Sequence, residues 1–461
     1  MNAPRSILVL GLGVSGQATA QYCTVLLATG EITSVTALDA ADNATLRHVA
    51  EALSALGVEV ELGASEVSGH YDVCVVSPGI PPQADLMIAA RAACRRVISE
   101  VEFAFSRSTR PWIAVTGTNG KTTTTALVAH LLEVGGIPAR AVGNIGPTAI
   151  SAVADERDGE VFVAEVSSFQ LAYTEYFHPH VAVLLNLTPD HLNWHGSFEA
   201  YAADKARLFA NLGSEDVAII DVDDPGSAPY AESVASRGVP VVSVSRFAGH
   251  GESALLVDGM LVLETRGGSV RLVSEDELQI RGAHNVSNAL AAAAAAHAIG
   301  VTAASIQSGL RSFAPIEHRL EPVTTIAGVR WFNDSKATNP DAVLKALTAF
   351  GVSPLIVLLG GRNKGNDFRP LARAVDARAK AVVVFGESRV DLAEAFGGLN
   401  VHVVEAVTLG DAVGAARQLA ADGDAVVLSP ACASFDEFDS YEHRGEVFKA
   451  FVLAMAGEGA R

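Results

Sequence analysis

Short, almost uniformly apolar runs rich in Val, Ile and Leu recur along the chain, at Ile7–Leu10, Val35–Leu38, Val73–Val76, Ile113–Thr116, Val161–Val166, Val181–Leu185, Ala218–Ile220, Leu355–Leu359, Ala381–Phe385 and Ala425–Leu428. A strand that faces water on one side alternates polar with apolar residues; a strand without that alternation has to be covered on both faces. Longer Ala/Leu-rich runs of helical length separate these segments, so the chain reads as α/β, with parallel sheets flanked by helices. Between Val241 and Ile280 the texture changes to alternating segments such as Ala254–Val257 and Val270–Val273 with Gly-containing turns, which predicts a small antiparallel patch.

At 461 residues the chain is too long for one core, since single cores stop growing at roughly 300 residues. Two polar breaks look like linkers. Ser106-Arg107-Ser108-Thr109-Arg110-Pro111 precedes a new strand, and Ala314-Pro315-Ile316-Glu317 follows a helix, so three domains are expected, at 1–108, 109–314 and 315–461. Lys plus Arg is 33 against 52 for Asp plus Glu, a net charge of −19, which argues against nucleic acid or an anionic membrane as partner because both call for a basic surface. Cys23, Cys74, Cys94 and Cys432 are scattered without metal-like or disulfide-like spacing, which points to a reducing compartment. The start, MNAPRSILVLGLGVSG, has too short an apolar run for a signal peptide, and no stretch reaches membrane-spanning length. The expectation is a cytoplasmic monomer.

Glycine clusters stand where the apolar runs end. Gly11-Leu12-Gly13-Val14-Ser15-Gly16 follows the first run and Asp39 closes the second, the spacing of a dinucleotide fingerprint with its ribose-binding acid. Glycines let the backbone approach a diphosphate at a helix N-terminus, where free N–H groups and the helix dipole favour an anion. Alone, the motif is open between a nicotinamide cofactor, another nucleotide diphosphate and a tight structural turn. Ser77-Pro78-Gly79-Ile80 would sit at the same carboxyl edge. Thr116-Gly117-Thr118-Asn119-Gly120-Lys121-Thr122 lies between a strand and a helix and reads as a phosphate loop: backbone N–H groups cradle phosphates, Lys121 meets the β/γ oxygens and Thr122 can ligate magnesium. It departs from GxxxxGK[ST], because position 115 is valine.

Downstream, Glu165 ends the strand Val161–Val166, where a phosphate-loop protein places a magnesium-holding acid. His191, in Asn186-Leu187-Thr188-Pro189-Asp190-His191, is either a satisfied polar residue or a metal ligand; its place at a strand end favours the latter. Lys205 reads by default as a solvated helix lysine. Asn285 opens an Ala-rich helix, as a cap or as a base or ribose contact. In the last domain His318-Arg319, Asn333 to Pro340, Gly360 to Lys364 and Ser429 to Phe435 gather polar turns at strand ends, and cations converging there in so acidic a chain suggest an anionic ligand.

In this order GLGVSG, GTNGKTT, AEVSSFQL, LNLTPDHL, GAHNVSN, EHRLE, DSKATNP and SPACASFDEF resemble the Mur ligase family over the whole chain. GTNGKT with a downstream Glu and His is shared with folylpolyglutamate synthase, whereas DSKATN and SPACASFDEF look like the D-glutamate-adding branch. The resemblance implies an N-terminal Rossmann-like domain for the UDP end, a central phosphate-loop ATPase domain and a C-terminal Rossmann-like domain. It implies ATP and Mg2+ as cofactors and UDP-N-acetylmuramoyl-L-alanine and D-glutamate as substrates, joined through an acyl phosphate. Carried over, Gly13, Val14, Ser15, Asp39, Ser77, Gly79 and Asn144 would bind the UDP substrate. Gly117, Thr118, Asn119, Gly120, Lys121, Thr122, Thr123, Asn285, Arg319 and Asp334 would bind ATP. Thr122, Glu165, His191 and Lys205, the last as a carbamate, would serve magnesium, and Lys336, Thr338, Lys364, Ser434, Phe435 and Tyr441 would receive D-glutamate. Tyr441 stands where a phenylalanine is expected, and Ala40 and Ala41 lack a Thr-Arg pair seen in some members. The rival readings are a folate-type glutamate ligase and, in a different class, a phosphate-loop NTPase switch with a nucleotide-sensing domain.

Overall fold

The structure, a computed structural model, describes residues 5–249, 251–315, 317–347, 350 and 354–458; Ile316 of the expected second linker and residues 1–4 of the apolar start lie outside them. Three sheets follow one another along the chain. In the first, β1 (Ser6–Leu10), β2 (Ser34–Asp39), β3 (Glu59–Leu62), β4 (Tyr71–Val76) and β5 (Cys94–Ser99) are parallel in the order β3-β2-β1-β4-β5. The second holds β6 (Trp112–Thr116), β7 (Ala139–Gly143), β8 (Val161–Glu165), β9 (Val181–Leu184), β10 (Val217–Asp221), β11 (Val241–Ser245), β12 (Ser253–Val257), β13 (Met260–Thr265) and β14 (Gly268–Ser274), in the order β14-β13-β12-β11-β10-β9-β6-β8-β7. The third is β15 (Glu321–Ile326), β16 (Val329–Asn333), β17 (Leu355–Gly360), β18 (Ala379–Phe385), β19 (His402–Glu405) and β20 (Ala425–Ala431), ordered β15-β16-β20-β17-β18-β19.

Every strand expected from uniform apolarity is present. Of the strands outside that reading, β3, β5, β7, β14, β15 and β19 are edge strands, while β11, β12, β13 and β16 lie inside their sheets. The physical reason is visible in β3, where Glu59 and Glu61 face water, because an edge strand is only partly covered. The antiparallel patch is narrower than its texture suggested. β11 pairs parallel with β10 and with β12, and only the pairings of β13 with β12 and with β14 are antiparallel.

By contacts the chain forms two compact units, one of Met1–Glu275 with Ser287–Leu310, the other of Asp276–Val286 with the chain from Arg311 on. Within the first, one apolar cluster runs through both sheets, with Phe105, Trp112 and Phe177 meeting edge to face. The helix Glu100–Phe105, at the end of the first sheet, joins the two by its acids. Glu102 accepts the N–H groups of Glu175, Tyr176 and Phe177, and Glu100 accepts that of Ile150 at 2.6 Å, near the start of the helix Ala149–Ala154. Buried carboxylates are tolerable there because backbone donors replace the lost water.

Candidate active site

The phosphate loop is built by β6, its following turn and the helix Lys121–Val134. Gly117 (φ 152°) and Gly120 (φ 86°) take left-handed conformations, and a Cβ at Gly120 would run into the Asn288 side chain, so glycine is required twice over. The segment after β9 holds the loop. Asn119 N–H donates to Asn186 Oδ1 (2.8 Å), Asn186 Nδ2 donates to Asn119 O (3.0 Å), and Thr118 N–H donates to Asn186 O (2.8 Å). Thr118 also exchanges bonds with the Thr188 backbone and meets the Tyr201 hydroxyl at 2.9 Å. Thr122 and Thr123 are buried on the first turn, and the Thr123 hydroxyl has no hydrogen-bond partner among the described residues.

Two ammonium-bearing side chains converge on one carbonyl. Lys121 Nζ donates to Gly117 O at 3.0 Å and to Thr118 O at 2.9 Å; Lys205 Nζ donates to the same Gly117 O at 2.8 Å. Lys205 is 2% exposed, not solvated as its helix position alone suggests. Burial, and next the charge of Lys121, push its pKa well below the ordinary lysine value, with Asp190 and Glu165 pulling the other way. The signal was present in spacing: Tyr201, Ala202, Lys205, Leu208 and Phe209 form one buried stripe.

Glu165, at the end of β8, is 2% exposed. Its Oε1 accepts from Asn144 Nδ2 at 2.9 Å, while Oε2 is buried without a hydrogen-bond partner among the described residues. A carboxyl oxygen left open in this way fits a magnesium ion held by one acid and phosphates, which needs no cage of protein ligands. In keeping with this, no three His, Cys, Asp or Glu side chains converge as a metal cage among the described residues. Asn144 thus reaches Glu165 and orients it. His191 has left-handed backbone (φ 53°), its Nε2 lies 3.6 Å from Asp190 Oδ2, and its ring packs 4.7 Å from Phe169.

At the N-terminal motif Gly11 is left-handed (φ 87°), and a Cβ on Gly16 would collide with the Gly11 carbonyl. The helix Val14–Thr29 starts at Gly13 with no side-chain cap, and Val14 is 79% exposed beside it. Ser77 Oγ donates to Gly11 O at 3.0 Å, bringing the Ser77–Gly79 turn to the same edge. Asp39 is drawn into the fold itself: it accepts the Leu12 N–H at 2.7 Å and the Ala41 N–H at 2.8 Å. Its first duty is to brace the glycine turn.

In the second unit β16, β20 and β17 are neighbours, so the turns after them share one carboxyl edge. Lys336 Nζ donates to the Tyr441 hydroxyl at 3.0 Å and lies 4.8 Å over its ring. Arg362 and Ala433 pair through their backbones, which sets the loop of Lys364 beside Ser434 and Phe435; Ser434 is buried and Phe435 is 62% exposed. Thr338 follows Lys336 with its N–H on the Lys336 carbonyl. Asp334 accepts from Ser429 Oγ (2.7 Å) and the Leu320 N–H (3.1 Å), and burial raises its pKa to about 7 against the pull of Ser429 and Arg319. Asn285 lies inside the first turn of its helix and donates from Nδ2 to Arg281 O, so it is not placed as a cap. Sequence reasoning missed Arg444, fully buried and bonded to Ser335 and to the Cys432 carbonyl; a lone arginine in an 18-residue helix carries no local signal for this.

Residues 115–296 match the Mur ligase middle domain and residues 318–432 the Mur ligase glutamate ligase domain. The chain belongs to the Mur ligase family. Among its relatives are the UDP-N-acetylmuramoylalanine--D-glutamate ligases of Pelotomaculum thermopropionicum, 43% identical over 454 residues, and Syntrophus aciditrophicus, 40% identical over 461 residues, each match covering 98% of both chains. Solved Mur ligase structures share the fold. MurF from Acinetobacter baumannii superposes with a TM-score of 0.63 at 19% identity, covering 91% of this chain and 90% of that one. A pseudomurein peptide ligase type C from Methanothermus fervidus gives 0.62 at 17% identity, covering 98% and 100%.

Proposed function

We propose that this Mur ligase adds D-glutamate to UDP-N-acetylmuramoyl-L-alanine in peptidoglycan precursor synthesis, driven by ATP. The observation that carries the reading is likeness to D-glutamate ligases over 98% of the chain. The geometry supplies the chemistry. A carboxylate and an amine do not condense in water, because the carboxylate is unreactive and its oxygen leaves poorly. Attack of a substrate carboxylate oxygen on the γ-phosphorus of ATP releases ADP and forms an acyl phosphate. The amine nitrogen of D-glutamate then attacks the acyl carbon, loses a proton, and phosphate departs with the oxygen.

The first attack brings two anions together, so positive charge and donors must meet them. Lys121, folded onto its own loop, is placed to swing to the phosphates. Mg2+, which supplies charge neutralisation between phosphate and carboxylate oxygens, would be held by Thr122 and Glu165, with His191 and carbamylated Lys205 serving a second ion. The depressed pKa of Lys205 supports the carbamate, since only a neutral amine carries the lone pair that adds to carbon dioxide. Gly13, Val14, Ser15, Ser77 and Gly79 would take the uridine diphosphate at an uncapped helix start. Asn285, Arg319 and Asp334 would contact ATP, and Lys336, Thr338, Lys364, Ser434, Phe435 and Tyr441 would receive D-glutamate.

The same reading places the enzyme in the cytoplasm as a monomer, with domains at 1–108, 109–314 and 315–461. Its buried cysteines are free thiols, and among the described residues no helix is long and apolar enough to cross a membrane. The test is phosphate release from ATP with UDP-N-acetylmuramoyl-L-alanine and one of D-glutamate, L-glutamate, L-alanine or a diamino acid. D-glutamate alone should stimulate it; stimulation by L-alanine alone would overturn the assignment.

A further inference from the structure

One histidine with a buried ring touches the segments that carry Glu165, His191 and Lys205. His195 ends the short helix Leu192–His195, and its ring is wholly buried. Nδ1 lies 2.8 Å from Asp204 Oδ2 and Nε2 lies 3.0 Å from Ser168 Oγ. With Nδ1–H donating to the Asp204 carboxyl oxygen, Nε2 is left to accept from the serine hydroxyl. The ring stacks on Phe169 (5.5 Å, 12° between planes) and meets Tyr201 edge to face at 5.3 Å, while the backbone N–H of His195 donates to His191 O at 3.1 Å.

These contacts lead to specific places. Ser168 stands three residues beyond Glu165, Asp204 immediately precedes Lys205, His191 is one turn back, and Tyr201 reaches the phosphate loop through Thr118. On a helix successive residues point about 100° apart, so anchoring Asp204 to a fixed ring sets the rotation that turns Lys205 inward to Gly117. The order serine, histidine, aspartate also fits nucleophile activation, but Ser168 is 2% exposed and so closed to a substrate, and the array works as a strut.

We propose that His195 is a positioning residue that locks the rotation of the helix Phe198–Ala206 against the segment following Glu165, and so sets where Lys205, Glu165 and His191 stand for phosphoryl transfer. The proposal rests on the ligase reading. An imidazole suits the task because it offers a donor and an acceptor on opposite edges of a flat ring that aromatic neighbours clamp.

The test uses the full chain. His195→Phe keeps the stack on Phe169 and removes both polar contacts; Asp204→Ala leaves the ring and removes only the helix anchor, at a helical position where alanine is a good helix former. In folded variants kcat for acceptor-dependent phosphate release should fall about 10- to 100-fold, the scale of a displacement near 1 Å, while KM for D-glutamate stays within about twofold. Without any ligand or metal, amide hydrogen exchange should rise across Phe198–Ala206 and across Ser168–Leu171. His195→Gln, which keeps a donor and an acceptor, should recover part of kcat. Folded Asp204→Ala with wild-type kcat and unchanged exchange in both segments overturns the proposal, whatever the fate of His195→Phe. Loss explained wholly by a smaller folded fraction, with kcat per folded molecule unchanged, overturns it as well. A wild-type chain that releases no phosphate with D-glutamate would instead fail the ligase reading itself.

Discussion

Gly117 O accepts hydrogen bonds from two lysines. Burial penalises the charge of the enclosed one, Lys205, and the neighbouring Lys121 ammonium repels it, so Lys205 gives up its charge more readily than an ordinary lysine. Lys121→Ala should fold normally, because this side chain packs little surface, yet lower kcat by about 10²- to 10³-fold through lost stabilisation of the γ-phosphate; near-normal turnover in a folded variant, read by phosphate release, would refute the phosphate-loop role. Lys205→Ala should be folded and nearly inactive. As a carbamate the lysine would present anionic oxygens of the kind magnesium prefers, so excess acetate or formate should restore part of the activity. Rescue by a small amine without response to carboxylates would show that Lys205 acts as a cation.

At the scale of elements, the helix Glu100–Phe105 ties the first sheet to the second through carboxylates, and one of them is titratable near neutrality. Burial raises Glu100 from 4.5 to about 7, although the backbone N–H groups of Ile150 and Ala149 oppose the shift, and Oε2 has no partner. The folded chain therefore keeps a proton that the unfolded chain has lost. The stabilisation is complete below about pH 4.5 and gone once pH has risen through about 7. Glu100→Gln keeps an acceptor for Ile150 and carries no charge, so it should flatten this part of the pH dependence and stabilise the unit at pH 8 by up to roughly 3 kcal/mol, the equivalent of the shift. Denaturant unfolding at pH 5 and pH 8 reads the difference; an equal effect at both would show that the carboxyl does not titrate in the folded chain.

For the whole molecule, the phosphate loop and the proposed acceptor site lie on different sheets, so their ligands should separate in kinetics. Lys364→Ala should raise KM for D-glutamate by tenfold or more and leave KM for ATP unchanged, because losing a cation-to-carboxylate contact at one sheet edge leaves the phosphate loop on another untouched. A matching rise in both constants would sink the assignment. Calorimetry on the intact protein should show binding of the UDP-sugar and none of NAD. Asp39 is the reason within the structure: with both carboxylate oxygens on backbone N–H groups, it braces the glycine turn and is less free to grip a ribose. Tight NAD binding with no response to the UDP-sugar would reverse that reading.

The amino-acid order alone determined the central strands and the chemistry at their ends. β1, β6, β17 and β20 are apolar on both faces, which leaves no other burial for them, and a phosphate loop needs its glycines and lysine contiguous. Tertiary structure decided the rest, because its causes are far apart in sequence. Edge strands such as β3 and β7 exist because a neighbour supplies one side of their hydrogen bonding. Lys205 is buried because β6 and the phosphate loop close over it, Asn186 holds Asn119 across 67 residues, and Arg444 meets Ser335 across 109. His195 meets Asp204 nine residues ahead and Ser168 twenty-seven behind, and only folding brings one ring to both, since a side chain's local pattern records the face it occupies but not the partner opposite.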